Sequence, residues 1–157
     1  MNAIVELSSS CADRWLPSIE QCENWLNSGL QVADRSKPCT ISLNFVDETT
    51  SQSLNCEFRG KDKPTNVLSF PAEFPTELQG QIDSYPLGDI VICAAVVESE
   101  ANAQGKELSQ HWAHLTLHGL FHLLGYQHNT DSAAEEMEKL EINTLEMLGI
   151  PNPYLLG

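Results

Sequence analysis

A chain of 157 residues that is 41% hydrophobic and 19% charged is long enough to bury a core and too apolar to be disordered. Its net charge of −14 excludes a protein that coats nucleic acid broadly, which needs a basic surface. No apolar run approaches the ~20 residues that span a bilayer, and MNAIVELSSSCADRW lacks the basic start and apolar stretch of a secretory leader. We therefore expect one cytoplasmic domain, 1–157, with no membrane partner. Cys11, Cys22, Cys39, Cys56 and Cys93 are odd in number and scattered, which reads as reduced, mostly buried thiols.

In chain order, Ala3–Leu7 is apolar with β-branched residues and reads as a strand. From Leu16 to Ala33, Ile19, Cys22, Trp25, Leu26, Leu30 and Ala33 recur at helical spacing, with Pro17 suited to the first turn. Thr40–Val46 alternates Ile41, Leu43 and Phe45 as a half-buried strand does. A short helix is expected over Thr49–Phe58, with Leu54 and Phe58 four apart. The polar loop RGKDKPTN then leads into a strand, VLSF, closed by Pro71. Residues 71–86 carry Pro71, Pro75, Gly80 and Pro86 and read as a long loop, a length that is often functional. Leu87–Cys93 reads as a strand and Ala94–Gln104 as a helix capped by Gly105. Ser109 is the expected N-cap of a helix running to about Leu124. A last helix starts near Asp131 or Ser132, with Ser132 and Glu135 in capping-box spacing, and ends at Leu148 and Gly149. Mixed strands and helices of this kind predict an α+β fold with a single small mixed sheet packed with helices.

All five histidines fall in HWAHLTLHGLFHLLGYQH, residues 111 to 128. His118 and His122 are four apart, so on a helix they project from one face. Gly125 allows a left-handed reversal after that helix, which can swing His128 back toward the same point. Three imidazoles with a fourth position open is the arrangement of a catalytic zinc. The metal site then sits on a central helix and the turn after it. An all-helix set of His114, His118 and His122 would separate its ends by about 12 Å, too far for ligands ~2 Å from one ion. His111 reads as a surface residue or a support for the ligands. The spacing H-G-x-x-H-x-x-G-x-x-H has the ligand positions of the metzincin proteases, with Gly119 where those enzymes carry their general-base Glu. Gly119 leaves room for substrate or for a packed neighbour, and the spacing does not choose between them.

Arg59, Lys61 and Lys63 are three of only eight basic residues. Beside the donors Thr65 and Asn66 they form a candidate phosphate-binding loop, or a solvated turn. RGKDKPTNVLSFP (Arg59–Pro71), HGLFHLLGYQH (His118–His128), LGDI (Leu87–Ile90) and PNPY together resemble the YbeY-type endoribonucleases of bacterial rRNA maturation. The resemblance implies a zincin-like α+β fold and one Zn2+ held by His118, His122 and His128, other transition metals not being excluded. It implies single-strand-specific RNA cleavage with Arg59 as the basic residue of the active cleft; His118 and Arg59 are the expected catalytic residues, and the basic loop adds Lys61, Lys63 and Asn66 to Arg59 as expected substrate contacts. It further implies a place in small-subunit rRNA 3′ end maturation and ribosome quality control, with rRNA, the small subunit and its associated proteins as partners and no DNA. Gln127 stands where that family usually has Asp. The nucleophile stays open between water and the RNA's own 2′-hydroxyl, and Asp89, His114 and Glu107 are the candidates for a general base. A zincin-type peptidase or amidase and a non-catalytic ribosome-associated metal-binding module are the alternatives.

Overall fold

The computed structural model describes residues 3–11 and 13–155, with the side chains of 79 and 80 left aside; both termini of the expected 1–157 domain lie outside these. Four strands form one sheet in the order β1-β2-β4-β3, where β1 is Ala3–Ser9, β2 Cys39–Val46, β3 Val67–Pro71 and β4 Tyr85–Cys93. β1 and β4 both run parallel to β2, whereas β3 is antiparallel to β4. The sheet is therefore mixed and β3 is an edge. The expected α+β class with one mixed sheet stands.

Among the described residues, five α-helices pack with it. α1 (Ile19–Val32) begins with a capping box between Ser18 and Gln21, so Pro17 precedes the cap and is not in the first turn. α2 (Glu48–Arg59) is capped by Asp47 and ends at Gly60. α3 (Ala94–Gln104) ends at Gly105 as expected. α4 (Leu108–Leu123) has Glu107 at its N-cap with no side-chain bond; Ser109 lies in the first turn and donates to the Glu107 carboxylate instead. α5 (Asp131–Met147) is capped by Thr130, whose hydroxyl accepts from Ala133 N–H, and not by the expected Ser132 box. The long 71–86 segment is not wholly irregular: it holds a 3-10 turn, Thr76–Gln81, and the start of β4.

α4 is the central helix, with eleven of its sixteen residues buried. It packs on β3 and β4 and touches α1, α3 and α5. Phe45 of β2 meets Trp112 of α4 edge-on at 4.8 Å between ring centres. Gly119 lets α4 approach this closely: a Cβ there would lie 2.8 Å from Ile90 Cγ2 and 3.3 Å from both Ser69 Oγ and Val67 Cγ2. The Ser69 hydroxyl donates to the Gly119 carbonyl at 2.9 Å. The space at Gly119 is filled by the sheet.

Of the five free cysteines, four are buried and Cys56 is exposed. Burial pushes the Cys22 thiol up to about 12 and Cys39 to about 11, which leaves both inert.

Candidate metal centre

α4 ends in solvent-side backbone that reverses at Gly125, whose φ of +100° is open to glycine. The reversal returns His128 to the helix end. The ligand-capable nitrogens of His118, His122 and His128 lie within 4.8 Å of one another. His118 and His122 present Nε2 to Nε2 at 3.2 Å. Two ligands held ~2.05 Å from one ion at a tetrahedral angle lie about 3.3 Å apart, so this spacing fits a shared cation.

The outer nitrogens give a second test of fit. His122 Nδ1 faces the Tyr126 carbonyl at 3.1 Å, which can only accept. His118 Nδ1 faces a carboxylate oxygen of Glu141 at 3.0 Å. Both Nδ1 atoms therefore carry a proton, which leaves Nε2 as the nitrogen each ring turns toward the shared point. Two Nε2 atoms 3.2 Å apart call for a positive charge between them, a shared proton or a cation. Burial first, then the neighbouring His118 and His128, hold His122 down to about 4, so its ring stays neutral at physiological pH. The donor set is that of a transition-metal site.

His114 takes no part in this cluster. Its Nε2 is 2.6 Å from Glu141 and 3.1 Å from the Tyr154 hydroxyl. His111 is not at the surface: it is buried and reaches Glu100 of α3 at 3.0 Å. The geometry thus separates the five histidines into three that converge and two, His111 and His114, that stay outside the cluster.

Glu141 carries no signal in the sequence beyond its place on an acidic helix, yet it organises the site. It is fully buried and accepts from Tyr154 Oη at 2.7 Å as well as from both histidines. Burial pushes its carboxyl up, but hydrogen bonds and charge from His114 and His118 outweigh this and hold it at about 2. The PNPY segment thereby reaches the metal centre through Tyr154.

A cleft of about 710 Å3 opens beside the three histidines. Arg59, at the end of α2, lines it together with Thr65, Asn66 and Gln127. The basic loop is stapled to α2: buried Ser51 bonds both backbone groups of Thr65 at 2.9 Å, and buried Asn55 donates to Lys63 O at 2.8 Å. It is a held loop and not a free turn. Lys61 and Lys63 are exposed on it and do not line the cleft. Asn66 does, but its amide is already engaged with Glu100 and with Val67 N–H. Asp89, His114 and Glu107, the candidates for a general base, do not line the cleft.

Among known proteins, the family described as Endoribonuclease YbeY matches residues 13–149, most of the chain. A Thermotoga maritima target protein solved in solution shares the fold, with a TM-score of 0.57 at 21% identity over 93% of this chain and 92% of that one.

Proposed function

The chain belongs to the YbeY endoribonuclease family, metal-dependent hydrolases of rRNA processing, and on that premise we propose that His118, His122 and His128 hold one divalent cation, zinc in the first instance, in a single catalytic domain, 1–157. The observation that carries this reading is the convergence of the three rings, with ligand nitrogens within 4.8 Å of one another and the Nδ1 atoms of His118 and His122 engaged from behind by Glu141 and Tyr126. A bound cation supplies Lewis-acid polarisation of a phosphodiester and makes water a stronger nucleophile near neutral pH.

The protein's own residues do the rest. Arg59 faces the cleft where charge builds on the phosphate oxygens. Glu141 keeps the proton on His118 Nδ1 and stops that ring from turning. Gln127 lines the cleft with a neutral amide, so it offers hydrogen bonds without charge. The substrate is single-stranded RNA, with action in small-subunit rRNA 3′ end maturation and ribosome quality control in the cytoplasm; among the described residues no helix is long and apolar enough to cross a membrane. The peptidase alternative lacks the base of the metzincin pattern, because Ile90, Ser69 and Val67 occupy the space a side chain at 119 would need.

The test is elemental analysis of untagged protein, coupled to cleavage of a short single-stranded RNA before and after chelation. Stoichiometric metal, loss on chelation and recovery on zinc addition are expected, with His118→Ala inactive. A His118→Ala protein that still cuts would end the reading. Product ends decide the nucleophile: a 2′,3′-cyclic phosphate rules out direct attack by water.

A further inference from the structure

The helix α2 is built inside out. Its buried residues are the polar Ser51 and Asn55, which hold the basic loop. Its aromatic residue, Phe58, is 58% exposed, although helical spacing from Leu54 alone places it toward the core. Phe58 lines the metal cleft and immediately precedes Arg59. It is braced edge-on by Phe70 of β3, with ring centres 5.0 Å apart and planes at 66°. A T-shaped pair of this kind fixes the orientation of the outer ring and leaves a face open.

The backbone of β3 adds a second feature. Asn66 O accepts from Cys93 N–H, and Ala72 N–H donates to Leu87 O. Even-numbered residues of this strand therefore pair with β4, and the alternation turns the N–H and C=O of Ser69 toward the free edge. Neither has a partner among the described residues. Side chains alternate as well: Ser69 meets α4, which carries His118 and His122, while Phe70 meets Phe58 on the other face. The open edge of the strand therefore runs between the metal histidines and the Phe58–Arg59 corner.

We infer that Phe58, braced by Phe70, is a stacking platform for one nucleobase of single-stranded RNA lying across the metal cleft. This rests on the proposed endoribonuclease reading and deepens it. The occupant is a base and not a general apolar ligand for three reasons. The same corner offers the Arg59 cation for a phosphate. The strand edge offers an adjacent donor and acceptor for a base edge. Recognition of unpaired RNA uses aromatic faces with this kind of hydrogen bonding. Stacking also tolerates any base and requires it to be unpaired, which gives single-strand preference a physical origin.

The experiment compares wild-type, Phe58→Ala and Phe58→Trp proteins on a short single-stranded RNA, and on versions with one abasic position moved along the strand. Phe58→Ala should raise KM roughly 5- to 100-fold, the loss expected for one stacked base, with kcat and metal content near wild type and an unchanged melt. Phe58→Trp should restore KM. One abasic position should weaken wild type but add nothing to Phe58→Ala. Equal KM values for wild type and Phe58→Ala, or abasic losses that are the same in both, would overturn the stacking site while leaving the metal reading standing. Wild-type protein that cuts no RNA would sink both.

Discussion

At the residue scale, Glu141 is the side chain on which the proposed metal centre turns. One carboxylate joins His118, His114 and Tyr154, so α4, α5 and the Tyr154 segment are tied together behind the histidine cluster. Glu141→Gln keeps the shape and removes the charge. It should weaken metal affinity about 10- to 100-fold, measured by competition with a chelating dye. The same site sets an acid limit on the metal-free protein. Both shifts are depressions, so the stability each group contributes is present above its unfolded pKa and lost as pH falls. For His122 the window runs from 6.5 down to about 4, and for Glu141 from 4.5 down to about 2. Urea unfolding of chelated protein across pH 7 to 3 should show stability falling in that order. His122→Gln should remove the upper window and leave the lower one.

At the scale of elements, the decisive contact is α4 against β3 and β4. Gly119→Ala gains about 1 kcal/mol of helix propensity. It also forces a methyl to 2.8 Å from the buried Ile90, and overpacking of that kind costs about 1–3 kcal/mol. The net expectation is a lower Tm by up to about 6 °C, read by thermal melt. Gly119→Glu, which would restore the protease pattern, should fold poorly and show no peptidase activity on casein with zinc. Much of this layer was legible beforehand. Sequence pattern finds the four strands and five α-helices to within a few residues, because apolar spacing follows from which face is buried, but it reads the 3-10 turn Thr76–Gln81 as loop. Caps were less legible: Ser109 and Ser132 are good capping residues by type, but the N-caps of α4 and α5 lie two residues earlier, at Glu107 and Thr130.

For the whole molecule, a net charge of −14 surrounds a cleft whose lining includes Arg59. Few phosphates can be neutralised there, so RNA binding should be weak with a shallow salt dependence. A log–log slope of roughly −1 to −2 is expected for two or three phosphate contacts on a single strand, measured by fluorescence anisotropy from 50 to 300 mM salt. Arg59→Ala should reduce that slope by about 0.7. Lys61→Ala and Lys63→Ala should change it less, since both residues lie outside the cleft lining. A protein partner that delivers the RNA would relieve the repulsion, and tight unaided binding at physiological salt would remove the need for one.

The order of strands and helices and the spacing of His118, His122 and His128 were set by the sequence, because helical repeat and turn chemistry act over a few residues. Contacts between distant segments were not. The burial of Glu141 behind His118, the approach of Tyr154, the filling of the space at Gly119 and the exposure of Phe58 each join residues 12 to 50 positions apart. No local pattern encodes which carboxylate of an acidic helix turns inward or which aromatic turns out. The packing of α5 and β3 around α4 decides it, through the cost of leaving a buried charge or a buried backbone group without a partner.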